Sequence, residues 1–301
     1  MISVVIPLYN KVVSIAHTLE TVRQQTYTDY EIIVVDDGST DGSADVVRAI
    51  KDTRIRLFSQ PNAGVSAARN RGIEEARGEF VAFLDADDKW EADYLETQMH
   101  LVEKYPQCAV FATRYGTYSK DGKFTPAVVR KLPFHDVDGV LTNYFFVASC
   151  SEPPIFTSAV MVRRTAIQAI GGFPVGIKSG EDLITWARLV AMNNIAYTTS
   201  PKVVFSTDGL DFSMKPKRSN DEDDYVGQEL ASLRKTYNPP HINQYVAHWY
   251  KMRSSVYLRQ GKRWKSIAEA MKGLRFYPCN YKLYIYILLN CLPSFLQPFK
   301  R

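Results

Sequence analysis

The sequence predicts an α/β fold with a mostly parallel central sheet flanked by helices and followed by a helical C-terminal region. Short apolar, β-branched runs alternate with segments whose apolar residues recur at helical spacing, as in repeated strand–helix units. Residues 80–84 (FVAFL) form an unbroken apolar run between Gly78 and a group of carboxylates, which is typical of a parallel strand covered on both faces. With 301 residues and 46% hydrophobic content, the chain can bury a substantial core.

The first half of the chain gives its strand and helix signals in alternation. A β-rich run at residues 2–6 ends at Pro7, and residues 12–22 carry apolar side chains at helical spacing. Further strands are expected at residues 30–35, 55–58, 80–84, 109–113 and 158–162, with a hairpin of 113–119 and 124–129 around a turn at 120–123. Further helices are expected at residues 46–50, 66–77, 94–104, 165–170 and 181–190. Repeated units of this kind imply right-handed crossovers, with ligands at the carboxyl edge of the sheet.

The cysteines and the apolar segments bear on the compartment of the protein. The four cysteines have no paired metal spacing, which favours reduced thiols over a disulfide framework or a zinc site. No segment reaches the ~18 to 20 apolar residues that span a bilayer, and the N-terminus lacks the features of a signal peptide. We therefore expect a cytoplasmic protein.

The net charge of +5 hides an asymmetry along the chain. Residues 241–301 carry 11 Lys and Arg against the single acid Glu269, or +10, which leaves 26 basic and 31 acidic residues, or −5, in residues 1–240. The basic residues carry no recognised nucleic-acid motif, so nucleic acid is not an expected partner. The apolar residues at 283–292, beside Lys282, could lie in a membrane interface, or they could pack on the body or on a second subunit of a homodimer.

Asp85 and Asp87 directly follow the apolar run at residues 80–84. They are two positions apart, so on a continuing strand they share a face, and in a turn they converge further. Two ionised carboxylates repel each other, and a hard divalent cation removes that repulsion. Because Mg2+ typically bridges one or two carboxylates to substrate phosphates, we expect half of a metal site that a diphosphate completes. The alternative is that Asp87 or Asp88 caps a helix that starts near Ala92.

A second acidic turn, at residues 36–41 (DDGSTD), follows the second strand. The first glycine of the chain is Gly38, so neither a dinucleotide fingerprint nor a P-loop follows the first strand. Asp37 could instead accept hydrogen bonds from a uracil-like imide or a ribose hydroxyl. The alternative for Asp37 is turn and N-cap chemistry, which we expect of Ser39 and Asp41 in any case.

Residues 62–72 (NAGVSAARNRG) place a helix N-terminus and arginines near the same sheet edge, an arrangement that holds phosphate. Arg69 and Arg71 are two positions apart and cannot both face one site from a helix. We expect Arg69 in the site and Arg71 at the surface.

Residues 7–10 (PLYN), 36–41, 62–72 and 84–88 (LDADD) together resemble family 2 glycosyltransferases in order and spacing. The resemblance implies a nucleotide-diphospho-sugar transferase fold of the Rossmann-like GT-A type, an inverting mechanism and a metal-dependent nucleotide-sugar donor. It implies that Pro7 and Tyr9 contribute to the donor site and that Asp37 reads the base. It also implies that Asp85 and Asp87 form the Asp-x-Asp motif for Mn2+ or Mg2+, with Asp87 the direct ligand.

The acidic pair Glu181 and Asp182 opens the helix expected at residues 181–190. This position, after the turn at residues 171–174 (GGFP), resembles the Glu-Asp motif that holds the catalytic base of the family. The alternative is that both acids only favour the helix N-terminus through its dipole. We expect Asp182 to be the general base, with Glu181 beside it.

The resemblance implies transfer of one hexosyl or N-acetylhexosaminyl unit, from a UDP-sugar in our prediction, to a saccharide or lipid-linked acceptor in cell-surface polysaccharide synthesis. The sequence departs from many relatives at Ser206, where residues 205–208 (FSTD) offer no His or Arg for the diphosphate. A Gln-x-x-Arg-Trp motif of processive synthases is also missing. The alternatives are a catalytically silent nucleotide-sugar-binding protein and, less favoured, a sugar nucleotidyltransferase, which usually has a glycine-rich loop near the first strand.

Three regions follow from these patterns. Residues 1–220 are expected to form the glycosyltransferase domain, with a nucleotide-sugar half at 1–115 and an acceptor half at 116–220. Residues 221–301 are expected to form a helical region, in which the spacing from Tyr257 to Pro278 resembles one tetratricopeptide-type hairpin. A solenoid needs at least about three such repeats, so a packed helical appendage is expected. Its basic tail could touch the inner face of the cell membrane, or its apolar residues could pack on the body or on a second subunit.

Overall fold

The computed structural model describes residues 1–119, 121–177, 179–205, 220 and 223–292. Its first part alternates strands and helices as the sequence predicts. The elements are β1 (Ile2–Leu8), α1 (Ile15–Arg23), β2 (Tyr30–Asp36), α2 (Ser43–Ala49), β3 (Ile55–Ser59), α3 (Val65–Glu75), β4 (Phe80–Phe83), β5 (Lys89–Trp90), α4 (Tyr94–Lys104) and β6 (Val110–Tyr118).

The second part adds shorter strands and then helices alone. Its elements are β7 (Phe124–Pro126), β8 (Asp138–Val140), α5 (Tyr144–Cys150), a 3-10 turn (Thr157–Ala159), β9 (Val160–Arg163), α6 (Arg164–Ala169), α7 (Glu181–Met192) and β10 (Ile195–Phe205). The C-terminal helices are α8 (Tyr225–Thr236), α9 (Ile242–Arg259), α10 (Arg263–Phe276) and α11 (Tyr281–Cys291).

The strands of the described part join in one sheet in the order β3-β2-β1-β4-β9-β6-β10-β5, with β7 on β6 and β8 on β10. The four strands β3, β2, β1 and β4 are parallel, whereas β9 runs antiparallel to both β4 and β6. The α/β class with a large central sheet flanked by helices is therefore confirmed, and the antiparallel β9 makes the sheet mixed. The parallel half brings the carboxyl ends of β1, β2 and β4 to one edge.

Strand β10 has no clear signal in the sequence. It contains Pro201 and several polar residues, and its pairing with β6 shifts register around Pro201. It is held as a strand because β6 and β8 bond to it at Ala196, and because Val203 pairs with both β6 and β5. Cross-strand neighbours, which the sequence does not display, decide this element.

The sheet is packed on both faces. Strand β1 is buried along its whole length, with Val5 in one apolar cluster and Val4 and Ile6 in the other. Helix α3 approaches β1 very closely at Gly72, where an added Cβ would lie 2.2 Å from a methyl carbon of Val5. This contact fixes α3, and hence Arg69, against the sheet.

The C-terminal helices share the core of the first part. Val226 and Leu230 of α8 and Trp249 of α9 lie in the same apolar cluster as Phe83 of β4 and Trp186 of α7. Residues on the two sides of the boundary expected at residue 220 therefore share one hydrophobic core and differ in composition. The three-part division stays a prediction. In the part of the chain that the structure describes, no helix has both the length and the apolar character needed to cross a bilayer.

Candidate active site

The carboxyl ends of the parallel strands bring the predicted site residues to one edge of the sheet. Leu8 is in register with Asp36, and the Leu84 backbone N–H donates to the Val5 carbonyl at 3.0 Å. The loops after β1, β2 and β4 therefore lie side by side. Pro7, Tyr9, Asp37, Asp85 and Asp87 all belong to these strand ends.

Asp37 is buried beneath the loop that precedes α3. Its Oδ1 accepts hydrogen bonds from Gln60 Nε2 at 2.7 Å and from the Ala63 N–H at 2.9 Å, and its Oδ2 accepts from the Gly64 N–H at 2.8 Å. These bonds order the loop at residues 60–64. A carboxylate has about four acceptor positions, so Asp37 keeps one for a further donor.

The loop after β1 is tied to the acidic turn after β2. The Asn10 N–H donates to Ser39 Oγ, and Asn10 Oδ1 accepts from the Thr40 N–H at 2.9 Å. Asp41 accepts from the Ser43 N–H at 3.0 Å, so it acts at the start of α2 as expected of turn chemistry. Pro7 is buried within β1, and Tyr9 is exposed at this edge.

Arg69 is buried and joins two groups of carboxylates. Its Nη2 donates to Asp85 Oδ1 at 2.7 Å, its Nη1 lies 4.0 Å from Glu181 Oε1, and its guanidinium stacks over the Phe173 ring. Its Nε and Nη1 have no hydrogen-bond partner among the described residues. Burial alone would lower the pKa of Arg69, but Asp85, Asp182 and Glu181 outweigh it and raise that pKa. Arg69 therefore carries its charge inside the site.

Arg71, expected at the surface, is half exposed and pairs with Glu75 one helical turn away at 2.7 Å. The two arginines of α3 thus face different surroundings.

Asp87 pairs with Lys11, which the sequence does not single out. Lys11 Nζ donates to Asp87 Oδ2 at 2.5 Å, and both side chains are partly exposed. The neighbouring Asp88 is buried and accepts from Ser158 Oγ at 2.5 Å. The N-cap residue of α4 is Asp93, so the capping role considered for Asp87 and Asp88 is not what the structure shows.

Glu181 and Asp182 form the first turn of α7, after Gly180 in a left-handed conformation (φ 89°). Burial, followed by the charges of Asp182 and Asp85, raises the pKa of Glu181. Burial raises the pKa of Tyr144 in α5 and of Tyr245 in α9, and the charge of Asp182 adds a smaller rise to each. Side chains of the C-terminal helices therefore shape the surroundings of the predicted base.

Asn70 is a site residue that the sequence reasoning missed. Its Nδ2 donates to the Phe173 carbonyl at 2.8 Å, and its Oδ1 accepts from the Phe173 N–H at 2.7 Å. Gly172 (φ 70°) passes so close that an added Cβ would lie 2.4 Å from Asn70 Oδ1. Asn70 thus attaches the turn before α7 to α3, next to Arg69. In the sequence, the signal that could have indicated Asn70 is its position directly after Arg69.

Replacing Asn70 with alanine is expected to lower the free energy of unfolding by about 2 kcal/mol, because the N–H and C=O of Phe173 both lose their partner. It is also expected to lower turnover, since α7 and its acids lose their attachment to α3. Chemical denaturation and steady-state kinetics measure the two effects. Asn193→Ala, which removes an asparagine bond to the Leu189 carbonyl at the far end of α7, is the matched control. Equal kinetic losses in both variants would contradict the attachment role.

Asp85 and Asp87 fit a divalent cation that takes most of its oxygen ligands from substrate and water. Across the described ranges, no three or more His, Cys, Asp or Glu side chains gather into a metal site. However, Asp85 and Asp87 each use one oxygen on a cationic side chain, and the other oxygen accepts no hydrogen bond from a described residue. Two such carboxylates suit Mg2+ or Mn2+, which take further oxygens from water and a diphosphate. The sequence has no His or Arg for the diphosphate at residues 206–208, and these residues lie outside the part of the chain that the structure describes.

Solved structures with this fold carry nucleotide sugars. The chain matches S. aureus TarS 1-349 in complex with UDP-GlcNAc at a TM-score of 0.70 and 15% identity, covering 96% of this chain and 84% of that one. It matches the mannosyltransferase PcManGT from Pyrobaculum calidifontis, in complex with GDP-Man and Mn2+, at a TM-score of 0.57 and 21% identity, covering 97% and 80%. At these identities the likeness shows the fold, which is the GT-A glycosyltransferase fold.

Sequence comparisons give the family. The model of glycosyl transferase family 2 matches residues 3–170, more than half of the chain. The putative teichuronic acid biosynthesis glycosyltransferase TuaG of Bacillus subtilis (strain 168) is 33% identical over 200 residues, which are 65% of this chain and 75% of TuaG. An uncharacterized glycosyltransferase of Rickettsia felis is 35% identical over 196 residues, which are 64% of this chain and 31% of that relative. The aligned part thus spans less than a third of the Rickettsia protein.

The chain belongs to glycosyl transferase family 2.

Proposed function

We propose that the protein transfers one sugar, with inversion, from a UDP-sugar to a saccharide or lipid-linked acceptor in cell-surface polysaccharide synthesis. The observation that carries the proposal is the position of Arg69 between Asp85, at the end of β4, and Glu181, at the start of α7. One buried cation thereby links Asp85, in the proposed donor site, to Glu181, the neighbour of the proposed base Asp182. The polysaccharide context is supported by the likeness to TuaG.

The donor site we propose uses the edge formed by β1 and β2. The remaining acceptor position of Asp37 suits an imide N–H or a ribose hydroxyl of the nucleoside, and the exposed Tyr9 stands on the adjoining loop. The UDP-GlcNAc bound by S. aureus TarS supports a UDP-sugar as the donor. The GDP-Man bound by PcManGT makes a guanine nucleotide sugar the alternative donor.

Asp85 and Asp87 would hold Mn2+ or Mg2+ against the donor diphosphate. Such a cation stabilises the negative charge that develops on the leaving nucleoside diphosphate. Arg69, buried against Asp85, adds its positive charge on the same side. The chain thus supplies positive charge to the leaving group in addition to that of the cation.

We assign the general base to Asp182. Glu181 Oε1 lies 4.0 Å from Arg69 Nη1, so we assign its carboxylate to the ion pair with Arg69. The carboxylate of Asp182 would take the proton of the acceptor hydroxyl as that oxygen attacks the anomeric carbon. The sugar–phosphate bond breaks on the opposite side, so a single displacement inverts the anomeric configuration.

A panel of nucleotide sugars tests the donor assignment. Thermal unfolding is measured with each sugar nucleotide, with and without Mn2+, and one UDP-sugar is expected to raise the midpoint only when Mn2+ is present. Stabilisation without any transfer to acceptors would instead favour the silent sugar-nucleotide-binding protein. Stabilisation by nucleoside triphosphates and sugar phosphates would favour a nucleotidyltransferase, which family membership already disfavours. A guanine nucleotide sugar as best ligand would correct the nucleotide.

Replacing Lys11 with methionine is expected to strengthen Mn2+ binding about two- to fivefold, which corresponds to the ~0.5 to 1 kcal/mol of a partly exposed ion pair. Lys11 Nζ holds an oxygen of Asp87 that a cation would use, so the ammonium and the metal compete. Calorimetric titration of the protein with Mn2+ and UDP measures the change. Lys51→Met, at an exposed lysine between α2 and β3, is the control. Unchanged or weaker Mn2+ binding in Lys11→Met would contradict this competition.

A further inference from the structure

Helix α11 is apolar on two sides, and one of them is exposed. Leu283 is fully buried and packs in a small core with Ala247 of α9 and Ala270 of α10. On the other side Tyr281, Tyr284, Ile285 and Leu288 are 65%, 47%, 44% and 65% exposed. Their spacing places them along one stripe of the helix. The two alternatives for this segment, packing on the body and contact with a membrane interface, therefore apply to different sides of one helix.

Trp264 adds an exposed aromatic side chain on α10, the helix that packs beside α11. Arg263 Nη2 donates to the Leu292 carbonyl at 3.1 Å, which brings the start of α10 beside the carboxyl end of α11. Trp264 follows Arg263 directly and is 83% exposed. Trp and Tyr side chains prefer the boundary between apolar chains and water. We call Tyr281, Tyr284, Ile285, Leu288 and Trp264 the α11 surface.

The segment of the sequence that carries the α11 surface is strongly basic. Residues 241–301 carry 11 Lys and Arg against Glu269 alone. Glu269 is itself buried, where it accepts from Arg253 at 2.8 Å and from Lys272 at 2.9 Å. Lys282 lies on α11 itself, with its ammonium 6.0 Å from the centre of the Tyr281 ring.

This charge decides between two occupants of the surface. A second copy docked face to face would bring two strongly basic regions together, and like charges oppose such a contact. An anionic lipid surface complements the same charge, and each basic residue near it strengthens binding by about fivefold. Residues 1–240, at −5, would not be drawn to it.

We propose that the α11 surface rests on an anionic lipid bilayer, with its aromatic and aliphatic side chains at the level of the headgroups. The inference does not depend on which nucleotide sugar is the donor. It is related to the proposed function only because a lipid-linked acceptor would lie in the same bilayer. The contact would hold the protein at the membrane through α10 and α11, while Arg69 and Asp182 keep their places on α3 and α7.

The experiment uses the full-length protein and two kinds of vesicle. One kind is pure phosphatidylcholine, and the other contains equal parts of phosphatidylcholine and phosphatidylglycerol. Co-sedimentation at low salt is expected with the second kind and not with the first, and added salt is expected to release the protein. Tryptophan emission gives a local readout, because Trp90, Trp186 and Trp249 are buried and Trp264 is exposed. Anionic vesicles are expected to shift the emission to shorter wavelength, and Trp264→Phe is expected to lose that shift.

Leu288→Glu is expected to weaken binding to the anionic vesicles at least about tenfold, since a charge replaces an apolar side chain in the contact. Val137→Glu, at an aliphatic residue that is 60% exposed outside α10 and α11, is the matched control and is expected to bind as the native protein does. Deleting residues 279–301 is a poorer test, because it also removes Leu283 from the small core. Stabilisation by the nucleotide sugar is expected to be equal in both variants, so failure of the donor assignment is seen separately.

Three results would overturn the inference. One is a protein that ignores anionic vesicles at low salt, and another is equal binding of Leu288→Glu and the native protein. The third is a dimer that Leu288→Glu converts to a monomer without any vesicle binding, which would make the α11 surface a contact between copies. Sedimentation velocity distinguishes this last case.

Discussion

Replacing Asp182 with asparagine is expected to lower the rate of sugar transfer by a factor of about 100 to 10,000, the usual range for loss of a general base. Asparagine keeps the shape of the side chain but cannot take the proton of the acceptor hydroxyl. Affinity for the donor is expected to change little, because the donor contacts proposed for Asp37, Arg69 and Asp85 remain. Release of nucleoside diphosphate in the presence of acceptor gives the rate, and calorimetry gives the donor affinity.

Glu181→Gln is the matched comparison for this experiment. Glu181 lies 4.0 Å from Arg69 Nη1, so its amide variant is expected to alter the surroundings of Arg69 more than the proton transfer. A smaller loss of rate with a measurable change in donor affinity is therefore expected. Near-normal turnover of Asp182→Asn, with a large loss in Glu181→Gln, would move the base to Glu181.

Replacing Asp87 with asparagine is expected to abolish the part of donor affinity that depends on Mn2+ and to leave the fold intact. An amide supplies only a neutral oxygen in place of a charged one, and the metal site proposed has only Asp85 as a second carboxylate. The side chain of Asp87 is partly exposed and its carboxylate pairs with Lys11, so little stability depends on it. Donor titrations with and without Mn2+, together with a thermal unfolding scan, measure both expectations.

Asp45→Asn controls for the loss of an aspartate from an ion pair. Asp45 is exposed and pairs with Arg48 at 2.5 Å on α2. It is expected to leave the Mn2+ dependence of donor binding unchanged. If Asp87→Asn behaves like this control, the assignment of Asp87 to the metal is wrong.

The local elements of the nucleotide half were predictable because their signals are local. An apolar run between Gly78 and a carboxylate group is enough to indicate β4, and helical spacing is enough to indicate α1 and α4. The strand ends then follow, and with them the edge at which Asp37 and Asp85 lie. Strands β5 and β10 could not be read this way, because β5 has two residues and β10 depends on its neighbours across the sheet.

The pairings inside the site were beyond the sequence because they join residues far apart in the chain. Lys11 and Asp87 are 76 positions apart, and Asn70 and Phe173 are 103 apart. Nothing in either local segment specifies its partner, since both contacts exist only after β1, β4 and α3 have packed. The likeness to a known family supplied the roles proposed for Asp85 and Asp182, but it did not indicate Lys11 or Asn70.

The sequence by itself determined the α/β class, the parallel direction of the first strands and the acids at their ends, since periodicity and strand-end position are encoded locally. Only the tertiary structure decided that a single buried arginine, Arg69, stands between Asp85 and Glu181, and that α11 packs by one side while its other apolar side stays exposed. Both depend on how distant elements are placed against one another, and that placement is set by packing across the whole core rather than by any one segment.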